Sequence, residues 1–213
     1  MRMKLHNYFR SSSSYRVRIA LNLKGLPFDY LPVHLAKGEH LQPPFQSLSP
    51  DGLVPVLETE GHRLSQSLAI VEFLEETHPS PALLPTDPWG RARVRALAQT
   101  IACEIHPINN LRILKYLTGP LGVSEADKLA WIHHWVTTGL TAVERMLSDP
   151  QTGDFCHGNQ PGLADLCLVP QVFNAQRFDV PLAAFPQVMR IHDRCQDLPA
   201  FAQAHPSRCP DAG

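Results

Sequence analysis

Every strand signal in this chain of 213 residues precedes residue 66, and a proline cluster separates that stretch from a purely helical remainder. Few folds accept such an order. Lys4 to Tyr8 reads as a first strand. Val17, Ala20, Leu21 and Lys24 then recur at helical spacing, predicting a helix over Val17 to Lys24. Gly25 supplies its stop and Pro27 follows. Phe28 to Val33 reads as a second strand, so strand, helix and strand form a right-handed unit with parallel strands. After a polar, irregular stretch from Leu35 to Ser49, Leu53 to Glu58 forms a strand with Pro55 near its start, where a missing N–H is tolerated. Gly61-His62 turns the chain and Arg63-Leu64 begin a return strand. Ser67 to Glu76 reads as a helix with Ser67 as its N-cap.

Pro79, Pro81 and Pro85 predict a linker over 79–86. Asp87-Pro88 then opens a helix as N-cap and first position. It runs toward Leu117 with a bend near Pro107. Ser124-x-x-Asp127 opens a helix reaching about Leu147; Gly162 to Pro170 opens another; Phe185-Pro186 to Cys195 forms a fourth. The expected organisation is α/β plus all-α. A thioredoxin-like βαβ-ββα domain (1–80) is followed by an all-helical domain (87–213).

Composition excludes several functions. The net charge is −1, and the segments before and after residue 85 are each nearly balanced, without the basic excess of a nucleic-acid binder. Met1 to Asn7 has no apolar run after its basic residues, so no signal peptide is expected, nor is a membrane span. Five cysteines without a C-x-x-C argue against a disulfide framework and for a reducing, cytoplasmic location. Eleven histidines lack metal-ligand spacing, so no metal is expected.

The chemistry is concentrated in Arg10-Ser11-Ser12-Ser13-Ser14, between the first strand and the first helix. Hydroxyls and free N–H groups meet there at a helix N-terminus, a setting that favours an anion such as a thiolate.

The two-part architecture, with Gln66-Ser67 at a helix start and Val54-Pro55 before a strand, resembles a cytosolic glutathione transferase. The string Arg10-Ser11-Ser12-x-Ser14-x-Arg16-Val17-Arg18-Ile19-Ala20-Leu21 resembles the signature of the zeta class. Gln66 to Ile70, Ala164 to Val172 and Asn174 to Phe178 also match that class. Ile105 to Leu114 is similar to its bacterial, maleylpyruvate-isomerising branch. Two departures stand out. Many zeta members carry cysteine where this chain has Ser13, and Ser or Thr where it has Gly162. Glycine is still an acceptable N-cap.

The resemblance implies a glutathione-dependent cis–trans isomerase of maleylpyruvate or maleylacetoacetate, both dicarboxylate-like, working in aromatic-compound breakdown as a homodimer. Glutathione would be recycled: its thiolate adds to the conjugated carbon, the central bond rotates, and the thiolate leaves. Ser11 or Ser12 would touch the sulfur, with Ser13 beside them. Val54 would pair by backbone with the cysteinyl part, through a cis step to Pro55. Gln66 and Ser67 would hold the γ-glutamyl group. Arg10 and Arg177 would bind carboxylates as charged, bidentate donors. His106, Asn110 and Arg112 are further candidate contacts with glutathione or substrate. His106 and Asn110, four apart, are expected to share a helix face. Asp165 is assigned to helix initiation. A conjugating transferase or dehalogenase of small α-halo acids is the alternative within enzymes, and a non-catalytic glutathione-binding module the alternative outside them. Trp131 and Trp135 read as a core stripe, and Arg208 to Gly213 as a frayed tail with an exposed thiol at Cys209.

Overall fold

A computed structural model describes residues 2–212. Met1 and Gly213, the outermost residues of the two expected domains, lie outside the described residues. The chain divides into two compact units. One ends at Leu83 and takes up the chain again from Gln196; the other is Leu84–Cys195.

The first unit begins with β1 (Met3–Asn7), α1 (Ser12–Leu23) and β2 (Phe28–Pro32). A short α2 (Pro43–Gln46) follows two single 3₁₀ turns in the stretch expected to be irregular. Then come β3 (Val56–Thr59), β4 (His62–Ser65) and α3 (Ser67–Thr77). The sheet order is β2-β1-β3-β4, with β1 and β2 parallel and the other pairs antiparallel. This is the expected thioredoxin-like topology. Glu60 and Gly61 both take positive φ in the two-residue turn between β3 and β4, the conformation that matches strand twist.

Helix α1 starts five residues earlier than the apolar spacing predicts. Ser11 is its N-cap, accepting from the Ser14 amide at 3.2 Å, so Ser12 to Ser14 form its first turn. From Ser14 to Leu21 every residue is buried, including Arg16 and Arg18. Gly25, at φ +64°, ends the helix in the left-handed region that only glycine enters freely. Lys24 Nζ is fully buried and donates to Glu75 Oε2 at 2.9 Å, the His78 carbonyl at 2.6 Å and the Pro81 carbonyl at 2.9 Å. The far ends of α1 and α3 are thereby tied together.

Strand β3 begins at Val56, after Pro55 and not at Leu53, because Pro55 has no amide to give the ladder. The tail also differs from expectation. The segment 199–212 packs into the first unit through α9 (Pro199–Ala204), after α8 (Pro186–Gln196). The Asn22 side chain donates to the Ala200 carbonyl at 3.0 Å, and Arg18 Nε to the Ala204 carbonyl at 3.1 Å. Asp211 accepts from the Phe9 amide at 3.2 Å and from the Tyr30 hydroxyl. Cys209 is buried in the apolar cluster of Tyr8, Phe9, Val33, Phe45, Val54 and Val56, and is not an exposed thiol. Burial raises its pKa.

The second unit holds α4 (Pro88–Gln99), α5 (Leu111–Thr118), α6 (Glu125–Met146), α7 (Leu163–Arg177) and α8 up to Cys195. Three caps were legible in the sequence. Asp87 accepts from the Gly90 amide at 2.7 Å, Ser124 from the Asp127 amide at 3.1 Å, and Asp165 from the Gly162 amide at 2.8 Å. Asp165 also accepts from the Cys156 amide at 2.9 Å. The helix expected to run to Leu117 is broken: a wide π-type stretch spans Thr100–Ile105, and a 3₁₀ turn spans Pro107–Asn109. Pro107 has no amide for the ladder, and Asn110 turns extended (φ −68°, ψ 151°) to cap α5. Trp131 and Trp135 meet edge to face at 5.7 Å, and Trp131 Nε1 donates to the Ile108 carbonyl.

Candidate active site

Strand register decides which residues of the first unit meet. Val56 pairs with His6 on one side and with Ser65 on the other. The residues just beyond these three are Tyr8 to Ser11, Val54-Pro55 and Gln66-Ser67. All three segments therefore emerge at one end of the sheet. Val54 packs in the same apolar cluster as Tyr8 and Phe9. Its peptide bond to Pro55 is cis, as the family resemblance implies.

The loop from β1 to α1 is held from beneath. Arg18 Nη2 donates to the Phe9 carbonyl at 3.0 Å; Nη1 donates to Asn7 Oδ1 at 3.0 Å and to the Tyr8 carbonyl at 3.4 Å. Burial lowers the Arg18 pKa. Asp211 takes the Phe9 amide from the other side. The Ser11 amide donates to the Tyr8 carbonyl at 3.0 Å. Arg10 and Ser11 are thus presented by a loop whose neighbouring backbone groups are satisfied. Ser12 is buried, Ser11 and Ser13 are half-buried, and Arg10 is exposed with its guanidinium 4.9 Å from the Phe9 ring centre. Amides of the first turn of α1 and the nearby hydroxyls give this point the polarity that stabilises a thiolate.

The head of α3 is built differently. Gln66, not Ser67, is the N-cap; Ser67 is the first helical residue. Gln66 sits at φ +68°, ψ 112°, a sparsely populated conformation, and its side chain does not cap the helix. No acidic residue lies in the first turn. Behind it, Arg16 Nη1 donates to Ser67 Oγ at 3.3 Å. Arg16 Nε and Nη2 are buried without a hydrogen-bond partner. A helix N-terminus with free amides, a hydroxyl and an adjacent buried cation fits a carboxylate.

The other candidates lie in the second unit. His106 follows the π-type stretch, and Asn110 caps α5 by accepting from the Arg112 amide at 3.2 Å. The expectation that His106 and Asn110 share a helix face fails, because the 3₁₀ turn separates them and Asn110 is extended. Arg112 is exposed in the first turn of α5. Arg177 is exposed in the last turn of α7, its guanidinium 5.1 Å from the Phe178 ring centre.

The sequence motifs assign no role to Arg16 or Arg18. The signal was present: two arginines inside the apolar run Val17-Arg18-Ile19-Ala20-Leu21 and its approach leave that helix no solvent face.

Comparison with known proteins agrees with this geometry. A family described as "Glutathione S-transferase, N-terminal domain" matches residues 5–82. Over 211 residues the chain is 51% identical to a maleylpyruvate isomerase of Ralstonia sp., covering 99% of this chain and all of that one. A solved holo maleylpyruvate isomerase, described as a bacterial zeta-class glutathione transferase, superposes with a TM-score of 0.97 at 50% identity, covering 99% of this chain and 100% of that one. The maleylacetoacetate isomerase of Anaeromyxobacter dehalogenans 2CP-1, with GSH bound in its active site, gives 0.90 at 44% identity over 100% and 98% of the two chains. That protein has also been solved with dicarboxyethyl glutathione and citrate bound. The fold, the family match and the relatives define a glutathione transferase. The chain belongs to the zeta class of that family, among the maleylpyruvate and maleylacetoacetate isomerases.

Proposed function

We propose that this chain is a glutathione-dependent cis–trans isomerase of maleylpyruvate or maleylacetoacetate. The observation that carries this reading is the convergence of Ser11-Ser12, Val54-Pro55 and Gln66-Ser67 at one end of the sheet, fixed by the pairing of Val56 with His6 and Ser65. Bound glutathione supplies a thiolate that adds reversibly to the conjugated double bond, which becomes single, turns, and re-forms as the thiolate leaves. The chain's own residues make this addition feasible. Ser11 or Ser12 donates to the sulfur, with Ser13 beside it, and the α1 N-terminus lowers the cost of the anion. The Val54 backbone aligns the cysteinyl part. The amides and hydroxyl at Gln66-Ser67 take the γ-glutamyl carboxylate. Arg10 and Arg177 each present a permanent, bidentate cation suited to a substrate carboxylate, which also offsets charge developing on the substrate during addition. His106, Asn110 and Arg112 are proposed as further contacts. Work in the cytoplasm and assembly as a homodimer complete the reading.

The test is isomerisation of both substrates by purified protein, with and without glutathione. Turnover that requires glutathione but leaves its total unchanged supports the proposal, and the faster substrate names the reaction. Consumption of glutathione, or no turnover while glutathione binds, refutes it. Light scattering at micromolar protein decides between monomer and dimer.

A further inference from the structure

Among the described residues of the first unit, Arg16 is the one cation whose burial the fold leaves unexplained. Lys24 has Glu75 and two carbonyls, and Arg18 has four oxygen acceptors. Arg16 is 2% exposed, and among the described residues its side chain contacts one acceptor, Ser67 Oγ. Its Nε and Nη2 have none, and no carboxylate among the described residues forms an ion pair with it. An unpaired buried charge is costly. Here it also stands behind the positive end of α3, which no side chain caps. Two positive poles set together raise that cost further, unless a negative group completes the arrangement.

The hydroxyl geometry adds direction. Arg16 Nη1 donates to Ser67 Oγ, so it occupies a lone pair of that oxygen. The Ser67 proton is then turned away from Arg16. A hydroxyl that accepts from a cation is also a stronger donor.

We propose that Arg16 is a positioning residue for the glutathione carboxylate held at the head of α3. It turns and polarises the Ser67 hydroxyl toward that carboxylate, and its uncompensated charge strengthens the field the carboxylate meets. The proposal rests on the assignment of Gln66-Ser67 to the γ-glutamyl group. Arg16 does not touch the ligand; it acts through Ser67.

The experiment is calorimetric titration of wild type, Arg16→Lys and Arg16→Met with two ligands. One is glutathione. The other is 4-aminobutyryl-cysteinylglycine, which lacks only the γ-glutamyl α-carboxylate. Wild type is expected to prefer glutathione by at least about tenfold, the scale of one hydrogen bond to a charged group. Arg16→Met is expected to bring that preference to within about twofold by weakening glutathione alone, with Arg16→Lys between. An unchanged preference in Arg16→Met, or equal weakening of both ligands, overturns the role of Arg16. Absence of any preference in wild type overturns the γ-glutamyl assignment itself, which separates the two failures. If Arg16→Met does not fold, Arg16→Lys is compared in the Ser67 and Ser67→Ala backgrounds. Its effect on glutathione affinity must vanish when the hydroxyl is gone. The same loss in both backgrounds refutes the proposal.

Discussion

Replacing Lys24 with methionine tests how the far ends of α1 and α3 are locked together. The Lys24 side chain is fully buried and that of Glu75 is 8% exposed. Methionine keeps most of the apolar stem but removes the ammonium. Glu75 Oε2, which also accepts from the Leu83 amide at 2.9 Å, then loses this ammonium. The His78 and Pro81 carbonyls lose the same donor. Breaking one side of a buried pair costs about 3–5 kcal/mol. For a chain of this length that corresponds to a fall in melting temperature on the order of 10 °C. The double variant Lys24→Met/Glu75→Gln removes the carboxylate charge as well, and glutamine can still accept from the Leu83 amide. It is expected to recover about 2 kcal/mol relative to the sum of the single changes. Urea unfolding followed by circular dichroism, on all four members of the cycle, measures this. A Lys24→Met cost below about 1 kcal/mol, or strictly additive single changes, would show that solvent reaches the pair and refute the reasoning.

Other predictions concern single sites. Ser11→Asp keeps an equally good N-cap, so stability should change by less than about 0.5 kcal/mol. The new charge should raise the pKa of bound glutathione on the order of two units, read from ultraviolet thiolate absorbance against pH. Asp165→Asn should cost about 1.5–3 kcal/mol in urea unfolding, because one of the Gly162 and Cys156 amides loses its acceptor; burial already pushes the Asp165 carboxyl up, so alanine, which satisfies neither amide, should cost more. The hydrogen bond from His6 holds the Glu58 carboxyl below its ordinary pKa of 4.5 against a smaller opposing effect of burial. Glu58 therefore stabilises the fold above that pH, and its contribution fades as acid protonates it. Glu58→Gln should flatten the acid limb of the stability curve, and an unaltered limb would refute this. Of the five cysteines only Cys103 is exposed, so one thiol should react with a chromogenic disulfide in the native protein and all five after denaturation.

The sequence revealed those parts of the fold that depend on local chemistry. Asp87-Pro88, Ser124 with Asp127, and Gly162 with Asp165 are caps whose bonds span three residues, so spacing alone locates them. The strand order followed from short apolar runs bounded by turn residues. The structure departs from the local pattern where polarity or backbone conformation masks it, and where a distant partner decides the outcome. The polarity of the serines masks the helix in the sequence, yet Ser11 capping the Ser14 amide starts α1 there. Ser67 looks like an N-cap, but the positive φ at Gln66 places it one position inside. The break at Thr100–Ile105 carries no glycine, and only Pro107 hinted at it. Buried Cys209 and the Asp211 contacts were invisible because their partners lie some two hundred residues earlier. Of the candidate site, Ser11, Val54, Gln66 and Ser67 stand out through family resemblance, whereas Arg16 reads as one more charge on a helix.

The return of residues 199–212 to the first unit has a consequence for biosynthesis. The loop that presents Ser11 rests on Arg18, and Arg18 is anchored by Ala204, 186 positions later; the Phe9 amide waits for Asp211, 202 positions later. At ordinary rates of translation that gap lasts on the order of ten to forty seconds. Throughout that interval the nascent first unit can pair its four strands, but Phe9, Arg18 and Asn22 lack these partners. The part of the chain made first is therefore completed last, and a ribosome stalled before residue 200 would hold a thioredoxin-like unit with the loop that presents Ser11 unsupported.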